Sequence, residues 1–384
     1  MEQTKLVPKR RFKEFQNTDA WEQRKLGKVV KTHQFRPYLA EPNAEGDFEV
    51  IQQGDRPVAG YTNGTPFENY RDVTLFGDHT VSLYKPTKPF FIATDGVKIL
   101  SADGLEGDFL FSLLERYKPE PQGYKRHFTI LKNQGAWITK NVEEQVKIGA
   151  FFKNLDHLIT LHQRKLEKMK AIKSAYLSEM FPAEGERVPK RRFAGFTQAW
   201  EQRKWEDTVD ISTNMVDPRT GLYDELPHIG PGNIESFTGK ILDNVLKVKD
   251  SNLISGKFHF YKGDIIYGKI NPQLGKYAIA PCEGLASADS YILNAKNGVV
   301  QNFLYSILQT KDFYKYSVSV SSRTGMPKIN RDELNVYNYK VPEIEEQKKI
   351  GSFFVGLDNL ITLHQRKLEK LQNIKKAYLN EMFV

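Results

Sequence analysis

Three stretches of this chain approach patterns that do chemistry, and each lacks a part that the chemistry requires. Asn271-Pro272-Gln273-Leu274 approximates the Asn-Pro-Pro-aromatic pattern with which adenine methylases hold a flipped base. The second proline and the aromatic platform are missing, and no Gly-rich cofactor loop follows a strand upstream. Gly232 to Gly239-Lys240 approximates a phosphate loop, but the spacing is two residues too long and Ile241 stands where Ser or Thr would hold Mg²⁺. Glu346-Gln347-Lys348 imitates the end of a nuclease metal motif; it falls at a helix start, and the similar stretch Glu144-Gln145-Val146 lacks the lysine. Gly-x-Ser-x-Gly, His-Glu-x-x-His and a Cys–His pair are absent. The single Cys282 excludes an internal disulfide framework and a Cys-based zinc cluster. The sequence therefore predicts no catalytic site, no metal and no cofactor of its own.

Binding chemistry is what remains. Lys and Arg exceed Asp and Glu by 9, a balance that suits a polyanionic partner without requiring one. Base edges in DNA are read by Arg, Lys, Asn, Gln, Ser or Thr on exposed loops. Candidates in the first half are Gln34, Arg36, Gln52, Gln53, Arg56, Asn63, Arg71 and Lys85. In the second half they are Arg219, Lys257, Lys269, Asn271, Gln273, Arg323 and Lys328. Ordinary surface polarity is the competing explanation for any one of them; the clusters carry the information.

The elements that position these residues occur twice. Residues 143–181 and 345–383 are near-identical without a gap, and the second block begins 202 residues after the first. VPKRRF at 7–12 with WEQRK at 21–25 returns as VPKRRF at 188–193 with WEQRK at 200–204. The chain is a tandem duplication. Between these blocks only apolar echoes survive, such as Phe109–Leu114 against Phe303–Leu308. One fold is expected to be used twice with different exposed chemistry.

The long block is a helix. Ile148, Phe152, Leu155, Ile159, His162, Leu166 and Met169 alternate steps of four and three, as do Ile350, Phe354, Leu357, Ile361, His364, Leu368 and Leu371. This is a coiled-coil seam. Asn141 with Glu144 forms an N-cap and capping pair, and Pro182 ends the first helix. A stripe ~55–60 Å long is too extended to bury on a small domain, so the two helices should pack antiparallel on each other. Leu155, Ile159, His162 and Leu166, with Leu357, Ile361, His364 and Leu368, are the packing positions. The two histidines could be metal ligands, but no carboxylate or Cys stands at ligand spacing, and a polar residue at a seam serves to fix register.

The intervening regions, 26–140 and 205–342, read as α+β with one helix each. Strands are expected at Val73–Phe76, Phe90–Ala93 and Val97–Leu100, with a helix at Gly107–Tyr117. In the second region Asp264–Lys269 and Lys276–Ala280 flank a turn at Asn271–Gly275; Val299–Leu308 is a helix, and Ser317–Ser322 leads into a basic loop, Arg323–Lys328. The expected architecture is two globular α+β domains in pseudo-twofold tandem repeat, 1–142 and 182–342, separated by two long antiparallel coiled-coil helices, 143–181 and 343–384. No run is apolar enough to span a bilayer and no secretory signal opens the chain, which suggests a cytoplasmic protein.

Taken together, the chain resembles the specificity subunit of type I restriction–modification enzymes. The resemblance is carried by Glu143-Glu144-Gln145 with Ile148-Gly149, by Glu345-Glu346-Gln347 with Ile350-Gly351, by Leu155–Leu166 and its copy Leu357–Leu368, by Trp21–Lys25 and its copy, and by Asp264–Lys269 with Leu274-Gly275-Lys276. One departure is Val142, where the second copy has Ile344 with Pro342 just upstream, a difference expected to shift the helix start by a turn. The resemblance implies a non-catalytic subunit whose two domains each read one half of a split double-stranded DNA site. It implies docking of two methyltransferase subunits and of restriction–translocase subunits, which would bind S-adenosylmethionine, ATP and Mg²⁺, methylate adenine at N6 and cleave unmethylated DNA. Two readers on rigid helices suit half-sites about one turn of B-DNA apart, roughly 34–36 Å. The rival reading is a two-domain adaptor for protein or sugar; another is a fused enzyme with unrecognised motifs. The order of the repeats also predicts that residues 7–25 lie beside the end of the helix at 343–383.

Overall fold

A computed structural model of the chain describes residues 7–123, 125–321 and 325–384. Two compact units emerge, one from residues 1–162 with 367–384 and one from residues 163–366. The first is thus discontinuous in sequence.

Each unit repeats one plan. In the first, a four-stranded antiparallel sheet runs Val30–Thr32, Val97–Ala102, Thr74–Gly77, Leu83–Tyr84. Beside it lies a three-stranded sheet of Val58–Thr62, Phe48–Ile51 and Phe90–Ile92, the last pair parallel. In the second unit the four-stranded sheet has the same order: Val209–Ile211, Ser290–Ala295, Ile265–Gly268, Tyr277–Ile279. Its companion has grown to five strands. The WEQRK blocks form short strands, Glu22–Lys25 pairing with Gly135–Ile138 and Glu201–Lys204 with Asn338–Val341.

The expected strands and the helix Gly107–Tyr117 are present within one or two residues, and Val299–Leu308 contains the helix Gln301–Ile307. One helix per region was too few. His127–Asn133, Lys311–Ser321 and Arg331–Asn335 are helices as well. In Lys311–Ser321 the serines and β-branched residues disfavour helix. Packing overrides them: Phe313, Ser317 and Ser321, four residues apart, are buried, and Ser317 and Ser321 donate to carbonyls three residues back.

The long helices are Val142–Glu179 and Ile344–Met382. Their antiparallel packing is visible inside each unit. In the first, Phe151 meets Tyr378 edge-on at 5.0 Å and Lys375 bonds Asp156 at 2.6 Å. In the second, Tyr176 meets Phe353 at 5.3 Å and Lys173 bonds Asp358 at 2.5 Å. The seam is not wholly a helix–helix surface, however. Ile148, Phe152 and Leu155 share a core with Trp21, Leu110, Leu113 and Leu114 of the first domain and with Leu379, Met382 and Phe383. Ile350 and Phe354 are buried likewise among Trp200, Phe303 and Leu304. The ends of each stripe find a domain core, which a small domain can supply because it needs to cover only two turns.

The repeated motifs explain this frame. The Asn141 Oδ1 accepts the Glu144 amide at 3.0 Å, so the expected N-cap is formed. Glu144 does not complete the reciprocal capping bond. Its carboxylate is fully buried and accepts Arg11 at 2.5 and 2.8 Å and the Thr139 hydroxyl at 2.7 Å. Glu346 likewise binds Arg192 in a two-point fork, both bonds 2.7 Å. The next residue ties the helix to the domain: Gln145 accepts the Glu106 amide and Gln347 the Val300 amide, at the starts of the two domain helices. Gly149 and Gly351 let those helices approach, since a Cβ there would lie 2.7 Å from the Phe109 amide nitrogen or from Asn302 Cβ.

The ends of the repeat also meet as expected. Arg10 donates its amide to the Glu381 carbonyl at 2.8 Å, and Trp21 stacks edge-on against Phe383 at 5.8 Å. Their counterparts, Arg191 with Glu179 and Trp200 with Phe181, make the same contacts in the second unit.

Candidate nucleic-acid interface

The first-unit candidates fall into separate places. Gln34 and Arg36 are exposed at the short turn Arg36–Tyr38. Gln52 donates to the Arg56 carbonyl, shaping a loop whose Arg56 side chain is exposed, and Gln53 accepts the His79 amide at 3.0 Å. Asn63 is exposed but its Oδ1 accepts the Asp47 amide. Arg71 lies over Tyr70, with 5.7 Å between guanidinium and ring. Lys85 donates to the Arg71 and Val73 carbonyls at 2.5 and 3.1 Å, and burial lowers its pKa. Arg71 and Lys85 line a cavity of about 1090 Å³ facing Lys153, Asp156 and His157 of the first long helix.

In the second unit Arg219 is held by Asp217 through two bonds of 2.9 and 2.8 Å, which push the Asp217 carboxyl down to about 2. Lys257 is buried and donates to the Ser255 carbonyl and hydroxyl; burial lowers its pKa while Asp289 opposes the shift. Lys269, Asn271, Gln273 and Lys328 are brought together. The Asn271 amide donates to Pro327 O at 2.7 Å, the Ile329 amide to Lys269 O at 3.0 Å, and Ile270 bridges Lys328. Burial lowers the pKa of Lys269, and the positive charges of Lys328 and Arg331 add to the effect. Arg323 lies outside the described residues.

Arg331 was not among the sequence candidates. Its guanidinium donates to the Ile211 and Ser212 carbonyls at the edge of this cluster. Lys125 and Arg126, also passed over, are exposed beside the His127 amide, which donates to Asp78 O at 2.8 Å. That bond matches the Ile329–Lys269 bond of the second unit. The signal was the order of the repeat: both loops precede the last short helix of their unit.

On the long helices, Leu155, Leu166 and Ile361 are buried, and Ile159, His162, Leu357, His364 and Leu368 are half-buried. Leu158 and Leu161, with their copies Leu360 and Leu363, stay exposed. Among the described residues no His, Cys, Asp and Glu group could hold a metal ion, and no helix is long and apolar enough to cross a membrane.

Residues 198–373 match the family described as "Type I restriction modification DNA specificity domain". The chain is 29% identical over 210 residues to the type I restriction enzyme EcoDI specificity subunit of Escherichia coli, covering 53% of this chain and 46% of that one. It is 23% identical over 257 residues to the MjaVIII specificity subunit of Methanocaldococcus jannaschii, covering 62% and 59%. The match thus spans about half the length of those relatives. The S subunit of a type I restriction–modification system from M. genitalium shares the fold, with a TM-score of 0.70 over 99% of each chain at 14% identity.

Proposed function

We propose that the chain is the non-catalytic subunit that reads DNA sequence for a type I restriction–modification complex, a reading supported by its similarity to specificity subunits and to the DNA specificity domain family. Each unit reads one half of a bipartite, asymmetric site in duplex DNA. The long helices set the spacing and dock two methyltransferase subunits, to which restriction–translocase subunits attach. S-adenosylmethionine, ATP and Mg²⁺ belong to those partners, which methylate adenine at N6 and restrict unmethylated DNA.

The observation that carries this reading is one frame used twice with different loops. The Arg–Glu forks, the Gln ties and the sheet order recur. The loops do not: Asp78–Ser82 stands in the first unit where Lys269–Lys276 stands in the second. A frame under such constraint with divergent loops suits two readers of unlike half-sites. The exposed Leu158, Leu161, Leu360 and Leu363, repeated in sequence, support two equivalent protein contacts. A gel-shift titration of the full chain against a random duplex library tests the reading. It predicts selection of a two-part motif and weakening with salt, because phosphate contacts release counterions. Salt-independent binding, or none, favours the adaptor.

A further inference from the structure

Resting on that reading, we propose that the turn Pro272–Leu274 is the base-reading tip of the second unit. Gln273 bonds the edge of an adenine, Leu274 packs on a neighbouring thymine methyl, and Lys269 and Lys328 hold the flanking phosphates.

The turn is built to project and not to bend. Both flanks are left-handed, Asn271 with φ 49° and Gly275 with φ 55°. Pro272 fixes the first residue between them. The neighbouring loop fastens its near end through the Asn271–Pro327 and Ile329–Lys269 bonds. Its far end is fastened by Phe237, whose amide donates to Gly275 O at 2.9 Å and whose ring lies where a Cβ on Gly275 would collide at 2.4 Å. Phe237 itself has φ 63°, a conformation a bulky side chain adopts only when its surroundings impose it. From below, the helix Lys311–Ser321 packs against the turn.

On this support Gln273 and Leu274 point away from the core. Gln273 is exposed, and Leu274, 44% exposed, is an apolar residue that the fold does not use. The Gln273 amide donates to Asn271 Oδ1 at 3.3 Å, so it is oriented before any ligand arrives. A rigid amide beside an exposed apolar side chain and flanked by lysines matches what a major groove offers at an A·T step: paired N6 and N7 groups, a methyl, and phosphates on either side. Acids would repel DNA here, and Asp289 is the acid that acts on Lys269. Its charge acts on both Lys269 and Lys257, while Lys328 and Arg331 also act on Lys269, so the cations around Lys269 outnumber that acid.

The same selection from random duplexes, run with full-length variants, tests this. Gln273→Ala should return the wild-type two-part motif with one A·T position in one half made degenerate, a roughly ten- to hundredfold loss of discrimination at that base pair. Leu274→Ser should weaken preference at the adjacent thymine. Lys328→Ala should keep the motif, bind more weakly at every sequence, and flatten the salt dependence by about one phosphate contact. All three residues are exposed, and an unchanged melting temperature checks that the fold is intact. If Gln273→Ala and Leu274→Ser both return the wild-type motif at every position, the tip is not the reader, although sequence recognition by the chain still stands. If the wild-type chain selects no motif, the functional reading fails and takes this assignment with it.

Discussion

Replacing Lys173 by Met should strand a carboxylate. In the second unit the ammonium lies 2.5 Å from Asp358, and the two side chains are only 9% and 14% exposed. Burial pushes the Asp358 pKa up, while Lys173 and a bond from Gln309 pull it back. Removing one partner of a buried pair costs roughly 3–5 kcal/mol, and since Asp358 can protonate instead of staying charged, the lower end, about 3 kcal/mol, is expected. Lys173→Met with Asp358→Leu removes the stranded charge and should recover most of that loss. The sign of the pH effect follows from the raised folded pKa: the folded state binds the proton more tightly than the unfolded chain. Stability therefore falls as pH rises from the unfolded value of about 3.9 through the raised folded one. Lys173→Met raises the folded pKa further, so its cost should shrink toward acid pH. Urea unfolding followed by Trp200 and Trp205 fluorescence, in a Trp21→Phe, Trp137→Phe background, reports on the second unit. A single variant within about 0.5 kcal/mol of its parent at pH 7, or a double variant no better than the single, would refute the argument, since surface changes rarely exceed that range.

Three further outcomes follow from the same structure. Gly351→Ala forces the helix Gln301–Ile307 away from the long helix and should cost ~1–3 kcal/mol by urea unfolding, whereas Gly356→Ala, with nothing within 4 Å, should be neutral or stabilising by up to ~1 kcal/mol. Leu158→Asp with Leu360→Asp should leave the melting temperature unchanged and abolish co-elution with methyltransferase subunits in size-exclusion chromatography. Leu155→Asp with Leu357→Asp, at seam positions, should instead lower the melting temperature, because Leu155 is buried in a domain core. A chain joined from Val384 to Met1 by a short linker and opened between Ala183 and Arg187 should still bind its site, since Arg10 and Trp21 already contact Glu381 and Phe383; loss of binding by a folded permutant would count against the closure.

The helices and the duplication were legible because their signals are local or literal: a four–three apolar rhythm and an ungapped repeat at a constant offset. The adjacency of residues 7–25 to the last helix followed from repeat order alone. What the sequence hid is tertiary. Nothing in Glu144 or Glu346 says that each is buried under Arg11 or Arg192, so one looked like a capping partner and the other like a nuclease motif. The helix Lys311–Ser321 was hidden by serines, which favour caps and turns, and by β-branched valines, weak helix formers whose preferences packing overrode. Among candidate readers, residue type was legible but commitment was not. Lys85 and Lys257 are occupied by backbone carbonyls and Arg219 by Asp217, whereas Gln273 is presented by a turn whose rigidity depends on Phe237, far off in sequence.

The central claim is that two independent readers share one chain. Exchanging residues 26–140 for the corresponding region of another family member, followed by methylome sequencing of a host expressing the complex, tests it most directly. The account predicts methylation at a new site in which one half has changed and the other half is retained. A change in both halves, or in neither, would contradict it.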